Sequence, residues 1–133
     1  MEMPYHIFVN GLPKAQPRPR MARNGHVYNP HSADVWKEEI KACFRPVLGE
    51  PITGPVSLNV LFYLPAPKAM KIADGQYIPH AKKPDLDNLL KAVMDAMSDV
   101  GVWNDDAQVS VTKAGKWYTG GKTGAGIVVQ TNF

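Results

Sequence analysis

Six aspartates, Asp85, Asp87, Asp95, Asp99, Asp105 and Asp106, crowd into the stretch KKPDLDNLLKAVMDAMSDVGVWNDDAQVSV. They are half of the chain's 12 acids, although the formal net charge is +3. Lys91 is the one basic residue between the first and the last of them. Like charges this dense repel unless a cation neutralises them. Hard divalent cations take oxygen ligands. A carboxylate cluster on a basic protein is the charge arrangement of a metal-dependent enzyme acting on phosphates.

The cations are grouped as well. Lys14, Arg18, Arg20 and Arg23 fall between Glu2 and Asp34, with no acid among them. Beyond Asp106 there is no acid at all, and Lys113, Lys116 and Lys122 follow. An acidic centre is thus flanked by two basic arms, which points to a polyanionic partner.

Each part of the acidic centre also has a plain structural explanation. Pro84 brings the chain in extended, because proline disfavours a helical residue before it. Residues two apart in an extended segment point the same way, so Asp85 and Asp87 can share one cation. Taken alone, the spacing favours a simpler role, with Asp87 as N-cap of a helix starting at Asn88 and Asp85 in solvent. Lys91 lies one turn after Asp87, either in a surface ion pair or as a cation beside a phosphate. Asp105 and Asp106 sit in a turn before a strand. That strand can bring Asp106 back to the helix only if it runs antiparallel to it. A haloacid-dehalogenase nucleophile would follow an apolar strand, whereas HAKKP stands here; a helix–loop–helix calcium site would need a third ligand and a glycine that DLDNLLK lacks.

The elements that must position these residues follow from periodicity. Residues 5–10 alternate as a strand, with Tyr5, Ile7 and Val9 on one face. Residues 11–30 are rich in proline and glycine and read as a loop, with a short hairpin closing at Asn24-Gly25. Residues 32–49 read as a helix with Ser32 as N-cap and Trp36, Ile40, Phe44 and Val47 as its apolar stripe, limited by Pro46. Residues 54–65 alternate as a buried strand, residues 66–84 are irregular and basic, and residues 87–101 form a helix closed by Gly101. A strand with Ala107, Val109 and Val111 on one face follows; then come a glycine-rich tip at 120–126 and a last strand at 127–133. The expected fold class is α/β (α+β): one domain, 1–133, with a single small mixed β-sheet and two main helices packed against it.

At 133 residues, 44% of them hydrophobic, the chain can bury a core. Its single cysteine, Cys43, suits a reducing compartment. No apolar run approaches the roughly 20 residues that span a bilayer, and the N-terminal stretch is too polar for a signal peptide. The expectation is a soluble cytoplasmic protein with no membrane partner.

KPDLDNLLKAVMDAM followed by GVWNDDAQV closely resembles the core of the RusA family of Holliday-junction resolvases. PKAQPRPRMARNGHVYNP resembles the basic loop near that family's N-terminus, and the similarity spans most of the chain. The resemblance implies a homodimeric endonuclease that cuts four-way DNA junctions symmetrically with Mg²⁺, Mn²⁺ substituting. It puts metal-binding aspartates at Asp85, Asp87 and Asp106, a catalytic lysine at Lys91, and a supporting acid at Asp105. Lys14, Arg18, Arg20, Arg23, Lys82 and Lys83 would contact DNA backbone, joined by Lys68 and Lys71. The basic run before the first Asp is here Lys82-Lys83, interrupted by Pro84. Two other readings stand beside this one: a nuclease preferring other branched DNA, and a non-catalytic nucleic-acid-binding module whose acids cap helices.

Overall fold

The alternation along residues 56–64 sets the architecture. The computed structural model describes residues 4–28, 30–120 and 124–132. Its strands are β1 (His6–Asn10), β2 (Arg20–Met21), β3 (Val27–Tyr28), β4 (Val56–Pro65), β5 (Ile78–Pro79), β6 (Val109–Thr119) and β7 (Gly126–Thr131). Its helices are α1 (Asp34–Phe44) and α2 (Leu86–Val100), with 3-10 turns at Arg45–Val47 and Asp106–Gln108. In β4, Val56, Leu58, Val60, Phe62 and Leu64 are buried while the residues between them are half-buried. That is the period-two signature of a strand with one face in the core.

The main sheet is mixed, in the order β1-β7-β4-β6-β5. β7 pairs antiparallel with β1 and β4, β6 runs parallel to β4, and β5 is antiparallel to β6. A parallel neighbour requires a crossover, which α2 supplies, so α2 runs against β6. Both helices pack on one face of the sheet. Trp36, Ile40 and Phe44 of α1 and Leu89, Val93, Ala96 and Met97 of α2 share one core with the buried side of β4, Val9, Ile127 and Val129. This is the expected α+β fold, with the hairpin β2–β3 added as a second small sheet. The hairpin turns at Asn24-Gly25 as predicted, with Gly25 at φ +86° and Asn24 Oδ1 accepting from the His26 amide. Among the described residues, no helix is long and apolar enough to cross a membrane.

Several local expectations are corrected. Ala33, not Ser32, is the N-cap of α1, and no side chain caps it. Val47 leaves the apolar stripe and is 55% exposed, because the proline-containing 3-10 turn changes the angular step per residue. β5 was not foreseen; two residues are too few to show a period. The face assigned to Ala107, Val109 and Val111 also fails, since Val111 is 50% exposed and Ala107 is exposed. A register irregularity between Val56 and Ser57 pairs Val56 with Val109 but Ser57 with Val111. A bulge of this kind switches which residues face the core, so Tyr118 becomes the buried aromatic of β6 opposite Leu64. Of the glycine-rich tip, residues 121–123 lie outside the described residues, as does Phe133 of the last strand.

Candidate active site

Asp85 ends the extended approach to α2, with φ −68° and ψ 141°, and occupies the N-cap position. Its main-chain carbonyl accepts from the Leu89 amide at 3.1 Å, but its carboxylate makes no capping bond. Asp87 is already in the first helical turn, where the helix dipole favours a negative charge. The cap is therefore Asp85 rather than Asp87. Because the helix starts at Leu86, the two acids are not successive same-side residues of one extended segment. Both are exposed.

The chain returns from α2 through a left-handed Gly101, φ +96°, whose amide bonds the Met97 and Ser98 carbonyls. Trp103 is buried and bridges to Ile52. Asp105 then caps the 3-10 turn: its carboxylate accepts from the Ala107 amide at 2.8 Å. Gln108 completes a capping box, its Oε1 accepting from the Asn104 and Asp105 amides at 2.9 and 3.0 Å. Its Nε2 donates to the Ile52 and Gly54 carbonyls at 2.7 and 3.0 Å. The sequence reading missed Gln108; the signal was an Asp with Gln three residues on, the spacing of a capping box.

These tethers aim Asp106. Its Oδ1 accepts from Trp103 Nε1 at 3.0 Å, and its Oδ2 stands 3.6 Å from Lys91 Nζ. Acid and lysine, 15 positions apart in sequence, meet because the chain between Gly101 and the 3-10 turn doubles back along α2. Lys91 donates to Asp95 Oδ1 at 2.7 Å, and no ion pair with Asp87 is found among the described residues. An acid one turn before a lysine is the better helix partner in general, but here Asp95 and Asp106 draw the ammonium to their side. The Asp95 hydrogen bond holds Lys91 above its ordinary pKa, against partial burial, and the charges of Asp95 and Asp106 add to the rise. Asp95 was counted among the acids but given no role; the lysine–aspartate spacing of four was its signal.

The donor chemistry fits a hard divalent cation: exposed carboxylates, one of them, Asp85, unused in capping. Their convergence is not preformed. Among the described residues, no three His, Cys, Asp or Glu side chains are gathered closely enough to hold a metal ion. The cation seated between Asp95 and Asp106 is the ammonium of Lys91.

Two of the basic segments reach the start of α2, the loop at Gln16 and the stretch ending at Pro84. Lys14, Arg18, Arg20, Arg23, Lys68, Lys71, Lys82 and Lys83 are all exposed. The Gln16 amide donates to the Asn88 carbonyl at 2.9 Å, fastening the proline-rich loop to the first turn of α2. Lys37 Nζ holds the Gln16 side chain at 2.8 Å. Lys82 and Lys83 precede Asp85 directly, across a cis Lys83–Pro84 peptide, while Arg20 and Arg23 lie on or beside the β2 strand of the hairpin. His80 stacks on Tyr118 with ring centroids 4.3 Å apart, which gives it a packing role. Trp117 lies near Tyr63 at 6.3 Å.

The site is thus a lysine on α2 held between two acids, Asp95 of the same helix and Asp106 of a capped turn. The chain belongs to the endodeoxyribonuclease RusA family, whose model matches residues 10–130. It is 35% identical over 122 residues to the uncharacterized protein YqaN of Bacillus subtilis strain 168, covering 84% of this chain and 85% of that one. It is also 42% identical over 55 residues to the crossover junction endodeoxyribonuclease RusA of Escherichia coli strain K12. That match spans 35% of this chain and 46% of the relative, less than half its length. The crossover junction endodeoxyribonuclease of Enterobacteria phage 82 matches to the same extent.

Proposed function

We propose that this protein is a structure-specific endodeoxyribonuclease that resolves four-way DNA junctions by Mg²⁺-dependent hydrolysis, cutting symmetrically as a homodimer. The observation that carries this reading is the Lys91–Asp106 contact, which joins in space the two halves of the family's motif. Asp85, Asp87 and Asp106 would hold the divalent ion, which when bound lowers the pKa of a water and offsets the charge of the scissile phosphate. The chain's own residues do the rest. Trp103 and the Asp105–Gln108 capping box keep Asp106 turned toward α2. Lys91, held by Asp95, presents a positive charge where the phosphodiester gains negative charge in the transition state. The exposed lysines and arginines bind the backbone without reading bases. A four-way junction offers two equivalent strands, and a two-fold dimer presents two equivalent sites to them.

The test uses a labelled mobile four-way junction incubated with purified protein in Mg²⁺ and in EDTA, with nicks mapped on all strands. Paired symmetric nicks in Mg²⁺ alone are expected. Asp85→Asn should abolish them while junction binding survives, since removing an acid lessens repulsion of DNA. Equal cutting of three-way or linear DNA would indicate a nuclease of different preference. No Mg²⁺-dependent cutting of any DNA would leave a binding module.

A further inference from the structure

We propose that Lys116 is a positioning residue that fixes where the Asp85–Asp87 segment begins, a role that rests on the site assigned under the proposed function. Lys116 lies on β6, in register with Phe62 of β4. Phe62 is fully buried on the helix-facing side of the sheet. Cross-strand partners point to the same face, so the Lys116 side chain leaves the sheet toward the helical layer. There its Nζ donates to two main-chain carbonyls, those of Lys82 and Pro84, the latter at 2.6 Å. Pro84 is the residue immediately before Asp85.

An ammonium group has three donors and no acceptor, and bonds from a charged donor are roughly twice as strong as neutral ones. Two carbonyls two residues apart, turned onto one ammonium, set the path of the chain into α2. The same stretch has few other ties. The His80 amide donates to the Lys116 carbonyl at 3.1 Å, and the Lys82 amide to His80 Nδ1 at 3.3 Å. Residues 81–83 are exposed and belong to no helix or strand. No ion pair to Lys116 is found among the described residues. Its charge is therefore committed to the main chain, which sets it apart from Lys82 and Lys83, whose side chains are exposed to solvent. By charge alone Lys116 belongs to the basic arm that follows the acids; its contacts make it a support for the acids.

The test compares Lys116→Met, Lys116→Arg and wild type by Mn²⁺ calorimetry without DNA, junction binding in EDTA, and single-turnover cleavage. Lys116→Met is expected to melt like wild type and bind the junction equally well. It should bind Mn²⁺ and cleave about 10- to 100-fold more weakly, as loss of a residue supporting metal ligands does. Lys116→Arg should recover most of both. Wild-type Mn²⁺ affinity and cleavage in Lys116→Met overturn the proposal. So does weakened junction binding with a salt slope shallower by about one, the mark of a phosphate contact. If Lys116→Met does not fold, Lys116→Ala, which also removes the donor, is read for Mn²⁺ affinity, and a wild-type value there overturns it. Asp85→Asn in parallel separates the two levels. Should it bind Mn²⁺ and cut like wild type, the site is misplaced and the role of Lys116 falls with it. Should it be inert while Lys116→Met is normal, only Lys116 is rejected.

Discussion

Replacing Asp95 by Asn asks whether Lys91 must be held in order to act. Lys91 Nζ has two carboxylate partners, Asp95 at 2.7 Å and Asp106 at 3.6 Å. Asn keeps the shape of Asp and removes the nearer charge. The Lys91 side chain is 54% exposed and that of Asp95 23%, so solvent screens the pair, and its loss should cost folding no more than about 0.5 kcal/mol. For a domain of this size that lowers the melting temperature by about 2 °C. The catalytic effect should be far larger. Without its 2.7 Å partner, the ammonium keeps only the longer contact and a flexible four-carbon stem. Misplacing a catalytic group by about 1 Å costs about 100-fold in rate, so single-turnover cleavage of a four-way junction should fall about 10- to 100-fold. Junction affinity in EDTA should not change, because Asp95 faces Lys91 and not the basic rim. Asp95→Glu should restore part of the rate. Cleavage by Asp95→Asn within about threefold of wild type, less than 1 kcal/mol of barrier, would refute the idea that Asp95 orients Lys91.

Junction affinity should depend steeply on salt: with six or more of Lys14, Arg18, Arg20, Arg23, Lys68, Lys71, Lys82 and Lys83 on phosphates, it falls by about 10³ or more between about 50 and 200 mM salt. A flat response in gel-shift titrations would reject them as the binding surface. Stability should fall in mild acid because of His80. Burial, and next the charge of Lys116, hold its imidazole below the ordinary value of 6.5. A depressed value means the unfolded chain takes the proton more readily. The neutral folded form therefore keeps full stability above the ordinary value and loses it as the pH falls from there to the folded-state value. Denaturant midpoints at about pH 7.5 and 5.5 should differ, and His80→Gln should narrow the difference; an undiminished gap would contradict this.

Much of the fold was legible along the chain because local rules decide it. The alternation of Val56 through Leu64 marks a strand whatever it packs against. Leu89, Val93 and Met97 mark a helix, and Gly101 supplies the positive φ that ends it. The errors share a cause as well. Val111 left the core face because a bulge in its pairing with β4 shifted the register, and no single strand carries information about its partner's irregularities. Val47 left the stripe of α1 where Pro46 tightened the helix. At the site, the residue types and the motif spacing of Asp85, Asp87, Lys91 and Asp106 could be read in advance. Distances between segments could not. That Lys91 also meets Asp106, that Gln16 fastens the basic loop to Asn88, and that Lys116 on β6 grips the chain before Asp85 are contacts between segments distant in sequence. Side-chain identity is written residue by residue, whereas proximity between distant residues arises only when the sheet closes and the crossover helix settles on it.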